Sequence, residues 1–110
     1  MNQATGIGEQ LLGEIVRRIC NAAAVARIVL FGSAATGQMS PDSDIDLLVL
    51  EDEPGDIRQE MARLRAALRG LEMPFDVLVM SKSRFEETKH LIGGIAYPAS
   101  KYGRVIYDAH

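Results

Sequence analysis

Two short apolar runs, Asp44-Ile45-Asp46-Leu47-Leu48-Val49-Leu50 and Phe75-Asp76-Val77-Leu78-Val79-Met80, stand on either side of a single stretch with helical periodicity. In that stretch Ile57, Met61, Leu64 and Leu68 recur at four-, three- and four-residue steps, Arg58, Arg63, Arg65 and Arg69 lie on the polar face, and Gly70 marks the end. Runs this short and this apolar read as buried strands. A strand, one helix and a second strand fold most simply as parallel neighbours joined by a crossover helix. Side chains alternate along a strand, so Asp44 and Asp46 share a face at a spacing of roughly 6.5 Å, with Leu48 and Leu50 continuing that face as core. Asp76 shares a face with Leu78 and Met80 in the same way. Each strand therefore carries acid at its entry end, and in a parallel pair the two entry ends coincide.

The rest of the chain supplies elements to pack around this unit. Leu11, Leu12, Ile15, Val16, Ile19 and Ala23 predict an amphipathic helix over Glu9 to Ala24. Arg27 to Phe31 reads as a strand that stops at Gly32-Ser33, after which Ala34 to Gly37 is a short helix with Ser33 as its N-cap and Gly37 as its stop. Ser40 to Ser43 is a turn, and Glu51 to Gly55 a polar connection. Ser83 is expected to cap a further helix with Glu86 as its capping-box partner, and Gly93-Gly94 to end it. Pro98 suits the first turn of a final helix closed by Gly103, and Arg104 to Tyr107 reads as a fourth strand. The short link between the first two strands favours antiparallel pairing, which brings the start of the second beside the end of the first. The expected architecture is α/β (α+β): one domain over residues 1–110, with a small mixed sheet of about four strands flanked by helices.

Composition narrows the possible functions. Twelve Lys and Arg against fifteen Asp and Glu leave a net charge of −3, and no dense basic cluster interleaved with aromatics occurs, which disfavours nucleic acid as a partner. Cys20 is the single cysteine, so neither an internal disulfide nor a cysteine zinc site is available. Met1 to Gly8 is polar and lacks a basic segment followed by an apolar run, so the reading is cytoplasmic, with no membrane association. His90 and His110 are expected in solvent; Cys20, Tyr97, Tyr102 and Tyr107 are expected to pack.

Convergence of Asp44, Asp46 and Asp76 calls for either a retained proton or a divalent cation, and all-oxygen ligands select Mg2+ or Mn2+. Magnesium commonly takes substrate phosphates as further ligands, so such a site asks for a nucleotide. Gly32 permits close approach of the backbone to an anion, and Ser33 offers a hydroxyl to a phosphate oxygen. No Walker-type lysine follows. Taken singly, an Asp-x-Asp pair is more often a solvated strand entry, and a Gly-Ser pair a plain turn; their joint occurrence carries the functional reading.

In this order and spacing, Gly32-Ser33-Ala34-Ala35-Thr36-Gly37, Ser43-Asp44-Ile45-Asp46-Leu47-Leu48-Val49 and Phe75-Asp76-Val77-Leu78-Val79 resemble the nucleotidyltransferase superfamily of DNA polymerase beta. The chain is similar in particular to its minimal stand-alone (MNT-type) members, through Ile95-Ala96-Tyr97-Pro98-Ala99 and Gly103-Arg104-Val105-Ile106-Tyr107 to the tail. The resemblance implies a palm-like nucleotidyltransferase fold in which Asp44 and Asp46 bind magnesium, Asp76 completes the site and helps activate the attacking hydroxyl, and Gly32 and Ser33 hold the triphosphate. It implies transfer of a nucleoside monophosphate, AMP from ATP foremost, to a protein hydroxyl with release of pyrophosphate. Many such proteins are antitoxins paired with a helical HEPN-domain partner, so a partner chain or a second copy is expected to complete the pocket. The alternative is an antitoxin that blocks its partner sterically with little turnover. Ala34 and Thr36 stand where family members often carry Arg, leaving Lys82, Arg84 and the arginines of the middle helix as candidate cations, and Ala34 as the first position to restore to Arg.

Overall fold

The computed structural model describes residues 8–37 and 44–109. The expected turn over Ser40 to Ser43, residues 1–7 and His110 lie outside them. Helix α1 (Glu9–Ala22) is followed by β1 (Arg27–Phe31), a short α2 (Ser33–Thr36), β2 (Ile45–Glu51), α3 (Ile57–Ala67), β3 (Phe75–Ser81), α4 (Lys82–Thr88), α5 (Ala96–Tyr102) and β4 (Arg104–Asp108).

The strands form one mixed sheet in the order β3-β2-β1-β4. β1 runs antiparallel to β2, pairing Phe31 with Asp46. β2 runs parallel to β3, pairing Ile45 with Phe75 and Asp46 with Asp76. The crossover predicted from the two apolar runs is thus present, and α3 makes it. β4 adds to the outer side of β1, antiparallel and with a bulge opposite the Ile28/Val29 step.

Alternation divides the core into two layers. Ile28 and Leu30 of β1, Ile45, Leu47 and Val49 of β2, and Val77 and Val79 of β3 meet Leu12, Ile15, Ile19 and Leu64 of α1 and α3. Val29, Phe31, Leu48 and Leu50 meet Phe85, Ala96 and Ala99 of α4 and α5 on the opposite face. Each fully buried Leu or Ile contributes about 1.5–3 kcal/mol, so the central strand β2, buried on both faces, is the main source of cohesion. α1 is tied to α3 by Arg18, whose Nη1 donates to the carbonyl of Arg69 at 2.7 Å while its Nε donates to Glu14 at 2.7 Å. A cation is thereby placed on carbonyls that the end of α3 leaves without helical partners.

Several local expectations are corrected. α1 ends at Ala22. Gly32, rather than Ser33, is the N-cap of α2, because Ser33 already has helical geometry; Gly37 closes that helix in the left-handed region as expected. Ser81, rather than Ser83, caps α4, accepting a hydrogen bond from Arg84 N–H at 3.1 Å. That helix stops at Thr88, before Gly93-Gly94. Glu51, assigned to the polar connection, is the last residue of β2 and is buried.

Candidate functional site

The geometry of the site begins with Gly32. It leaves β1 at φ 69° and ψ −153°, a region open essentially to glycine alone, and turns directly into α2. A β-carbon on Gly32 would collide with Asp46 Oδ2 and lie 3.2 Å from Asp46 Cγ. The glycine backbone and the carboxylate are therefore in direct apposition, as the pairing of Phe31 with Asp46 requires. Ser33 follows, half-buried, and its carbonyl accepts from Thr36 Oγ1 at 3.3 Å.

Parallel register sets Asp76 beside Asp46 on the neighbouring strand. Both belong to the face that carries Leu48, Leu78 and Met80, the side of the sheet covered by α4 and α5. Asp44 precedes β2 and is exposed, as is Asp76, whereas Asp46 is half-buried. Burial, and then the charges of Asp76 and Asp44, raise the pKa of Asp46 above the ordinary aspartate value. All three carboxylates thus act on one locus, and the sequence-derived site residues Gly32, Ser33, Asp44, Asp46 and Asp76 assemble at one end of the sheet.

Among the described residues, no three His, Cys, Asp or Glu side chains are gathered closely enough to form a ready-made metal cage. The donor set still fits an oxygen-seeking divalent cation, because Asp46 carries the penalty of two neighbouring negative charges and a divalent ion would relieve it. An ion that keeps several waters and shares phosphate ligands needs fewer fixed protein oxygens than a closed cage provides.

Two of the substitute cations, Lys82 and Arg84, do not assemble there. Lys82 and Arg84 follow the carboxyl end of β3, while Asp76 lies near its start, so the length of the strand separates them from the acids. Arg84 instead borders a crevice of about 380 Å³ formed with Pro54, Ile57 and Val79. Ala34 is 0% exposed and lies in the core under α1 and α3, so an arginine there has no path to the site without displacing apolar packing. Thr36 is exposed, and of the two positions it is the one that can present a longer side chain to solvent. Sequence reasoning missed this difference because α2 is a single turn, too short for periodicity to assign an inner and an outer face.

The comparisons with known proteins agree with this geometry. The family model for the nucleotidyltransferase domain matches residues 12–106. No curated protein sequence matches the chain. Among solved structures, a mutant of the toxin–antitoxin MntA–HpeT aligns with a TM-score of 0.66 at 16% identity, over 90% of this chain and 74% of that one. A nucleotidyltransferase candidate from Sulfolobus solfataricus aligns at 0.61 and 18%, over 90% and 79%. A toxin–antitoxin crystallised with AMP-PNP aligns at 0.61 and 19%, over 90% and 74%. At these identities the structural likeness establishes the fold, and the family model, spanning nearly all of the described residues, establishes the lineage: the chain belongs to the nucleotidyltransferase-domain family.

Proposed function

We propose that the protein transfers a nucleoside monophosphate, AMP foremost, from a nucleoside triphosphate to a hydroxyl of a partner protein, and that it acts in this way as the antitoxin of a toxin–antitoxin pair with a helical HEPN-type partner. The observation that carries the reading is the apposition of Gly32 to Asp46, with Asp76 in register beside it. This arrangement sets a close-approach backbone turn against a row of carboxylates, the combination that a triphosphate with a divalent cation needs. The toxin–antitoxin neighbours, one of them crystallised with AMP-PNP, support both the nucleotide and the protein partner.

In the reaction, the turn at Gly32 and the Ser33 hydroxyl orient the triphosphate so that its α-phosphorus faces the acids. Asp76, exposed at the site, accepts the proton of the attacking hydroxyl. The hydroxyl oxygen bonds to the α-phosphorus, the bond from that phosphorus to the bridging oxygen breaks, and pyrophosphate leaves. Asp44, Asp46 and Asp76 would hold Mg2+, or Mn2+, which neutralises phosphate charge and stabilises both the attacking and the departing oxygen when bound. A second copy of the chain could complete the acceptor side of the pocket in place of the partner protein.

Transfer of label from each α-phosphate-labelled nucleoside triphosphate into a lysate of the source cell, with Mg2+ present, tests this reading. A labelled protein band is expected with the wild type, and its loss with Asp44→Asn/Asp46→Asn. The lack of an outward-facing cation on α2 favours a second reading, a partner-binding antitoxin with little turnover. Under that reading Asp44→Asn/Asp46→Asn still neutralises the partner in cells and no nucleotide yields label.

A further inference from the structure

Away from the acids discussed above, two glutamates are buried together at the opposite end of β2. Glu51, the last residue of the strand, is 4% exposed, and Glu60, on the inward side of α3, is 7% exposed. The Glu60 carboxyl is the acidic neighbour that, after burial, raises the pKa of Glu51. Glu51 Oε2 is sealed from solvent and, among the described residues, has no donor within reach. An oxygen with no donor nearby and a carboxylate beside it is better satisfied as an O–H donor than as an anionic acceptor.

We propose that Glu51 and Glu60 form a proton-held latch that seats the crossover helix α3 on the carboxyl end of β2. With the latch closed, Glu51 carries the proton and donates it to the Glu60 carboxylate, which Arg63 Nε approaches at 3.5 Å. Loss of that proton as pH rises through neutrality leaves two buried anions facing one largely exposed guanidinium, and α3 loosens.

The charges around the pair are few. From α3 come Glu60 and Arg63 alone. On β3 the register partner of Glu51 is Ser81, which is uncharged. On β1, Arg27 is turned to Glu86 and Asp108 and lies on the α4 face of the sheet. On α1, Arg18 is held by Glu14 and the Arg69 carbonyl. Exposed Asp52, Glu53 and Asp56 in the connection add only negative potential. Burial first, and then Glu60, push the Glu51 pKa up to about 7, with Arg63 opposing them. The folded chain therefore retains a proton that the unfolded chain releases near 4.5, and stability falls as pH rises through the interval between those values, levelling off above it.

The test compares the pH dependence of unfolding in wild type, Glu51→Gln and Glu60→Gln between pH 5 and 9. The wild-type folding constant is expected to fall on the order of a hundredfold across this range, and Glu51→Gln to lose most of that fall. Hydrogen exchange, corrected for its intrinsic pH dependence, should show protection of α3 amides lost first in the wild type and retained in Glu51→Gln. Parallel wild-type and Glu51→Gln profiles overturn the proposal, as does protection lost uniformly over sheet and helices. If Glu51→Gln fails to fold, carboxyl carbon NMR of the wild type decides instead: a glutamate titrating above pH 6 is expected, and its absence overturns the latch.

Discussion

At the residue scale, Gly32 joins backbone geometry to chemistry. Its φ of 69° excludes other residues at a cost of about 1–3 kcal/mol, and the atom that an added methyl meets is the movable end of Asp46. Gly32→Ala should therefore lower thermal stability modestly but abolish label transfer, because the displaced group is the Asp46 carboxylate proposed to hold the cation; melting and transfer assays on one preparation separate the two effects. Asp46 shows the converse. Its raised pKa means that the folded state binds protons more readily than the unfolded state, so the ionised carboxylate is destabilising at neutral pH. Asp46→Asn is expected to raise Tm at pH 7 while eliminating transfer, and the gain should shrink as pH falls toward the ordinary aspartate range. On α2, Ala34→Arg forces a charge into the core and should leave little folded protein, whereas Thr36→Arg should fold and lower the KM for the nucleotide. The acids were legible in the sequence because alternation in a strand needs no knowledge of the rest of the fold. The difference between Ala34 and Thr36 was not, because it depends on what packs over a single helical turn.

At the element scale, α3 is held at both ends by side chains. Asp56 caps its start, accepting from Gln59 N–H at 3.1 Å, and Arg18 reaches its last carbonyls from α1. Asp56→Ala should cost about 1 kcal/mol, and Arg18→Ala about 1–2 kcal/mol, since a half-buried charged donor is lost; urea titration measures both. The strands and the crossover followed from periodicity, but the helix starts did not. Ser81 and Ser83 offer the same hydroxyl two residues apart, and only the exit of the chain from β3 decides which one meets a free N–H of α4. Glu51 misled for a related reason. A glutamate next to Asp52, Glu53 and Pro54 reads as loop, and only Glu60 arriving on α3 gives it a reason to be inside.

At the scale of the whole molecule, the antiparallel step from β1 to β2 and the parallel step from β2 to β3 gather the Gly32 turn and the acids at one sheet end. The same two steps send Lys82 and Arg84 to the other end, beyond the carboxyl end of β3. Lys82→Ala and Arg84→Ala are therefore expected to leave label transfer within about twofold of wild type, a result that places phosphate recognition elsewhere. Because Asp46 and Asp76 meet only through register, the site has something like a reading frame. Deleting Phe75, the one residue between Pro74 and Asp76, would keep both Asp76 and Val77 in the chain yet turn Asp76 toward α3 and Val77 toward the acids. Length changes can accumulate in the 52–56 and 68–74 connections, but within the paired strands only even-numbered ones keep the acids on one face, so insertions and deletions in descendants of this chain should be confined accordingly.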